Sequence, residues 1–284
     1  MSACERWRRA LASSRAVSRL AGSSSRTCGI RDDGALACWG NGELGRLADG
    51  VPDEPHTTPS PTRARRGSTG EYVADALQVV AGDTHSCLLN RDHQVECWGD
   101  NSQGQLGTGG DVERTATTQL IPNLDGVEAL AAGASHTCAL RSGEVWCWGA
   151  NDDAQLGFEG SSPGVPTQIR NLTGVSSIAS GAYHVCALRF DGTLFCWGNN
   201  FGDQLGTKQV PQQAIPTPTR VEIEPVQSVF AGSTALHTCA ITRSGRAFCW
   251  GSNELGELGR GETTHVSEPL PGVVTVLEGS VLCE

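Results

Sequence analysis

The chain has 284 residues, 38% of them apolar and 36 of them glycine, enough for one large repeat domain or two ordinary ones with a buried core. No apolar run approaches the ~18–20 residues of a membrane-spanning helix. The formal net charge is −10, with Lys208 the single lysine; such a surface repels phosphate backbones and argues against general nucleic-acid binding.

Residues 1–16 open the chain as a basic lead-in, disordered or helical, with Arg6, Arg8, Arg9 and Arg15; Arg19 and Arg26 extend the basic cluster. The lead-in lacks the ~7–15-residue apolar core of a signal peptide. From residue 17 the chain repeats. Cys38-Trp39-Gly40 recurs as Cys97-Trp98-Gly99, Cys147-Trp148-Gly149, Cys196-Trp197-Gly198 and Cys249-Trp250-Gly251, at intervals of 49 to 59 residues. Upstream of each triplet stands a partner cysteine: Cys28, Cys87, Cys138, Cys186 and Cys239. Two residues before the partner is His85, His136, His184 or His237, with Arg26 in the first unit. Downstream come Asn101, Asn151, Asn200 or Asn253, then a Gln-Leu-Gly phrase that is Glu-Leu-Gly in the last unit and degenerate in the first. The units span about 17–76, 77–126, 127–174, 175–225 and 226–272, and a partial sixth starts at 273–284, where Gly279 and Cys283 echo Gly133 and Cys138.

Each unit reads as strands. In the third, VEALAAG (127–133) is a short apolar strand, and HTCALR and EVWCWG flank Ser142-Gly143, a two-residue hairpin turn. A weaker fourth strand lies around VPTQIRNL (165–172). Four short strands per ~50 residues, in tandem, is the pattern of propeller blades. The fold class is therefore all-β, a β-propeller of four-stranded antiparallel blades with five full repeats and a partial sixth, forming either an incomplete, open ring or a small one. Cys138 and Cys147 are symmetric about their turn, and Cys186 and Cys196 remain so although that turn is one residue longer. Opposed residues on antiparallel strands have Cα atoms ~4.5 or ~5.5 Å apart, within reach of a disulfide. Five cross-strand bridges fit this pattern; five pairs of buried thiols also fit it. Matched pairs suit an oxidising compartment, extracellular or periplasmic, whereas the missing signal peptide suits the cytoplasm.

HTCALRSGEVWCWGANDDAQLG (136–157) resembles the regulator of chromosome condensation repeat: His-Thr-x-Ala-Leu, a turn, Trp-Gly-x-Asn and Gly-Gln-Leu-Gly. The resemblance runs over roughly residues 17 to 272 and implies a propeller of four-stranded blades, seven in the family's usual ring. The paired cysteines resemble exported bacterial relatives of the family.

The chain carries no phosphate-binding glycine loop, no His-Glu-x-x-His and no Gly-x-Ser-x-Gly elbow. No catalytic, cofactor or metal-binding residue is assigned. The repeated histidines are expected to stitch strands or blades together, since a feature present in every unit suits the fold better than a site that occurs once. Trp39, Trp98, Trp148, Trp197 and Trp250 are expected on the face opposite the cysteines, packed between blades. Function is sought in what does not repeat: segments 47–75 and 207–225, which join the Leu-Gly turns to the next blade and are expected near one another. The resulting expectation is a non-enzymatic protein-binding or scaffold propeller that uses one face or these segments on a protein or peptide partner. The alternative implied by the resemblance is an exchange-factor-like regulator of a small GTPase.

Overall fold

The computed structural model describes residues 16–51, 56–67, 69–110, 112–207, 213–261, 263 and 267–274. The expected lead-in is outside these residues up to position 15, and the expected sixth unit is outside them from 275 onward.

The repeat folds as four-stranded antiparallel sheets, one per unit. The first comprises β1 (Val17–Gly22), β2 (Arg26–Arg31), β3 (Leu36–Asn41) and β4 (Thr57–Arg63). The second comprises β5 (Ala76–Ala81), β6 (His85–Asn90), β7 (Val95–Asp100) and β8 (Arg114–Leu120). The third comprises β9 (Ala129–Ala132), β10 (His136–Arg141), β11 (Glu144–Gly149) and β12 (Thr167–Gln168). The fourth comprises β13 (Val175–Ser180), β14 (His184–Arg189), β15 (Leu194–Gly198) and β16 (Ile215–Arg220). The fifth comprises β17 (Val226–Phe230), β18 (His237–Thr242), β19 (Ala247–Gly251) and β20 (Glu268–Val273). The inner strands touch in chain order, β1 with β5, β5 with β9, β9 with β13 and β13 with β17, and together they line a central hollow of about 390 Å³. These are propeller blades, and their sheets are not joined into a barrel.

The central hairpin of each blade follows the local chemistry. Ser142 and Gly143 both take positive φ, 51° and 74°, the turn whose twist matches two antiparallel strands. Cys138 then pairs with Cys147, and the same opposition holds for Cys28 with Cys38, Cys87 with Cys97, Cys186 with Cys196 and Cys239 with Cys249. All are disulfides with Cα atoms 4.1 Å apart, the closer of the two antiparallel pair types.

Three expectations need correcting. Segments 47–75 and 207–225 are not free connections, because they contain the outer strands β4 and β16. Nor are they neighbours: residues 64–67 and 69–75 pack on the second blade, through a bridge from Arg66 to Thr118, while β16 belongs to the fourth. Ala64 and Val73 are fully buried there, and Arg66 pairs with Asp75 and the buried Glu96. Finally, the fifth blade does not end at 272. Val273 pairs with Phe248, and the Val274 N–H donates to the Ala247 carbonyl as Val221 does to Leu194 and Ile169 to Val145.

Candidate functional site

The antiparallel order gives each blade two ends. At one, the loop end, lie the turns between first and second strands and the long segments from third to fourth. At the other, the hairpin end, lie the tight turns between second and third strands. The repeated residues gather at the blade interfaces near the loop end.

Each fully buried tryptophan reaches back to the blade before it. The indole N–H of Trp148 donates to the Gln105 carbonyl at 3.0 Å, Trp197 to Gln155 at 3.0 Å, Trp250 to Gln204 at 2.9 Å and Trp98 to Arg46 at 2.8 Å. Trp39, in the first blade, is only half-buried. The glycine of Gln-Leu-Gly receives the indole: a Cβ on Gly107 would come within 2.8 Å of the Trp148 Nε1. The leucine of that phrase, Leu106, Leu156 or Leu205, is core. The amide of the glutamine, and the asparagine upstream, hold the loop itself: Leu106 N–H donates to the Asn101 Oδ1, and Gln103 N–H to the Gln105 Oε1.

Three of the repeated histidines, His85, His136 and His184, reach forward to the next blade. His85 Nε2 lies 2.7 Å from the Thr137 Oγ1 and His184 Nε2 lies 2.8 Å from the Thr238 Oγ1. The Thr238 hydroxyl donates to the Gln204 carbonyl at 2.9 Å, so its oxygen accepts from the imidazole N–H. One carbonyl of the fourth blade thus takes both Trp250 and Thr238 of the fifth. The fourth blade has Val185 where the threonine belongs, and Ser180 replaces it: His136 Nε2 lies 2.6 Å from the Ser180 Oγ. In the first blade Arg26 does the histidine's work, donating to the Ser86 Oγ and to the carbonyls of Gly82, Asp83 and His85. Arg26 is therefore an interface residue rather than part of an exposed basic cluster. Burial lowers its guanidinium to about 9, with the nearby Arg46 adding to the effect and Asp83 opposing it.

The imidazoles of His85, His136 and His184 are fully buried, and burial lowers each to about 3; Arg26 adds to the shift of His85, and His136 and His237 to that of His184. They are neutral at pH 7. Each lies over a glycine: a Cβ on Gly133 would meet the His136 Cε1 at 2.0 Å and the Gly181 carbonyl at 2.6 Å. The structure keeps these histidines apart, one per interface, so they do not converge on a common point. His237 is half-buried on the fifth blade. The Ser180 exchange gives a direct test. Ser180→Ala is expected to cost about 1–3 kcal/mol by stranding the His136 N–H, and Val185→Thr in the same chain should restore most of it. Denaturant midpoints of the two variants decide this; a neutral Ser180→Ala would refute the role assigned to the bond.

What varies from blade to blade is the charge of the two ends. Among the described residues carboxylates outnumber cations at the loop end, where Asp83, Asp152, Asp153, Asp203, Glu254 and Glu257 stand, whereas at the hairpin end the two signs mix: Arg31 with Asp32 and Asp33, Arg91 with Asp92, Arg141 with Glu144 and Arg189 with Asp191. A hollow of about 460 Å³ opens at the loop end between the fourth and fifth blades, lined by Tyr183, Phe201, Leu236 and Glu254 among others. Neither the hollow nor the acidic excess of the loop end was read from the sequence. Comparing aligned repeats position by position would have found the apolar substitutions, but not that they meet.

Comparison with known proteins agrees with this architecture. The chain is 36% identical over 240 residues to human HERC6, described as a probable E3 ubiquitin-protein ligase, covering 83% of this chain and 18% of that protein. It is 28% identical over 238 residues to the Arabidopsis thaliana ultraviolet-B receptor UVR8, covering 82% of this chain and 52% of that protein. The chain thus spans at most about half the length of either relative. Among solved structures, Saccharomyces cerevisiae Prp20p, reported with its binding properties to Gsp1p and histones, superposes with a TM-score of 0.74 at 24% identity, over 92% of this chain and 64% of that one. The family model described as RCC1-like domain matches residues 6–282, and the chain belongs to that family.

Proposed function

We propose that the chain is a non-enzymatic protein-binding propeller that presents its loop end to a basic surface of another protein, in an oxidising compartment. The observation that carries this reading is the excess of carboxylates over cations at the loop end, which the mixed hairpin end lacks. The repeated His, Trp, Gln and Asn side chains are occupied in holding blades and turns, so their recurrence is explained by the fold. The carboxylates of the loop end vary between blades and are exposed, as Asp152 and Glu254, or half-buried, as Asp83, Asp153, Asp203 and Glu257, and they favour a cationic partner and its rate of encounter. Prp20p, a fold neighbour, is reported to bind histones and Gsp1p, which supports protein binding as a use of this architecture. The disulfide in every blade supports the compartment.

Cross-linking of the full chain in its source cells, read by mass spectrometry, tests the reading. Cross-links to a partner are expected from the loop end, and Asp152→Lys with Asp153→Lys is expected to lower their yield several-fold. Cross-links confined to the hairpin end, or unchanged by the charge reversal, would overturn it. The exchange-factor alternative rests on resemblance alone; it requires accelerated nucleotide release from a small GTPase, which a fluorescence assay reads directly.

A further inference from the structure

Backbone hydrogen bonds fix which residues are equivalent from blade to blade. The carbonyls of Ser25, Thr84, Ser135, Tyr183 and Leu236 each accept the N–H that follows the Trp-Gly dipeptide of their own blade. This position is small and polar in the first three blades, then a tyrosine 41% exposed and a leucine 42% exposed. The residue after the loop asparagine is Ser102, Asp152, Phe201 or Glu254, and the phenylalanine is 59% exposed. Leu255, 87% exposed, stands where the second and third blades have Gln103 and Asp153. The backbone makes the same bonds whichever residue is present, so the fold does not call for apolar side chains here. Yet Tyr183, Phe201 and Leu236 line one hollow of about 460 Å³, which contains Glu254 and no lysine or arginine among its described lining residues. Asp203 and Asp153 stand beside it, bonded to Ser267 and Asn199 of the lining.

From this juxtaposition we infer that the hollow between the fourth and fifth blades is a docking site for a peptide segment of the partner, with an aromatic or aliphatic anchor flanked by arginine or lysine. The inference rests on the proposed protein-binding role of the loop end. An exposed apolar cluster with a polar rim marks an interaction surface, because exposing such side chains lowers solubility and does nothing for the core. A concave site admits one anchoring side chain and excludes water around it. The carboxylate rim, with no cation in the lining, selects the flanking charge.

Labelled 12-residue peptides titrated against the full, disulfide-intact chain test this by fluorescence anisotropy. One set has a Phe-Leu centre with Arg and Lys flanks, a second keeps those flanks around Gly-Ser, and a third keeps Phe-Leu between Glu and Asp. Only the first is expected to bind. Tyr183→Ser with Phe201→Ser places in the fourth blade the kind of residue other blades carry there, and is expected to weaken that binding at least tenfold without moving the thermal unfolding midpoint. Glu254→Lys is expected to weaken it several-fold. Equal binding of all three sets, or of wild type and the double variant, would overturn the inference. So would self-association by sedimentation velocity that the double variant abolishes, since the occupant would then be a second copy. If no peptide binds while Asp152→Lys with Asp153→Lys still suppresses the cellular cross-links, the site fails and the protein-binding role stands. If both experiments fail, the role itself is wrong.

Discussion

Reduction of all five bridges is expected to unfold the propeller at neutral pH without denaturant. Each bridge closes a loop of 9 or 10 residues, which stabilises by about 2–3 kcal/mol through restriction of the unfolded chain. Five such contributions, at roughly 10 kcal/mol or more together, match the whole stability of a typical domain, about 5–15 kcal/mol. The order of reduction is also set by structure. Cys28, Cys38, Cys87, Cys97, Cys138, Cys147, Cys186 and Cys196 are fully buried, whereas Cys239 is partly exposed and Cys249 nearly buried. Cys239–Cys249 should therefore open first under mild reductant, because thiol–disulfide exchange needs access to a sulfur. Alkylation followed by intact-mass measurement reads both the order and the count, alongside circular dichroism. A fully reduced chain that keeps its native spectrum would show that packing alone holds the blades. The same alkylation performed directly in source cells tests the proposed oxidising compartment: ten reactive thiols at the hairpin positions would place the chain in a reducing one.

Acidification is expected to destabilise the blade interfaces well before the carboxylates titrate. His85, His136 and His184 are held near 3 when folded and return to about 6.5 when the chain unfolds. Between those values the unfolded state binds protons that the folded state refuses, so stability is complete above about pH 6.5 and declines as the pH falls toward 3. The slope approaches about 1.4 kcal/mol per histidine per pH unit, or roughly 4 kcal/mol for the three. Between pH 6.5 and 5 most carboxylates stay ionised, so that window belongs to the histidines. Urea midpoints at pH 7.5, 6.0 and 5.0 measure it. His136→Gln, which keeps a polar side chain and cannot titrate, should lower the overall stability and reduce the slope by about a third. A flat profile across the window, or an unchanged slope in the variant, would show that these imidazoles do not hold the interfaces in neutral form.

The repeat and the hairpin were legible in the sequence because both rest on short-range geometry. Strand alternation has period two, the Ser142-Gly143 turn sets its own register, and so Cys138 and Cys147 had to oppose one another. The propeller class followed from counting strands per unit. The site was not legible. That Arg26 substitutes for a histidine, or that Ser180 makes good the loss at Val185, depends on which side chains of successive blades come within 3 Å of each other. Segment 47–75 looked like an insertion because its strand β4 lacks apolar alternation: its residues are mostly polar, threonine and proline, at the outer edge of a blade where one face stays wet. The sequence by itself determined the blade, the opposition of its paired cysteines and the five full repeats, all local matters. Only the tertiary structure decided that Tyr183, Phe201 and Leu236 share one hollow and that an excess of carboxylates gathers at the loop end, since both depend on how consecutive blades stack rather than on any spacing along the chain.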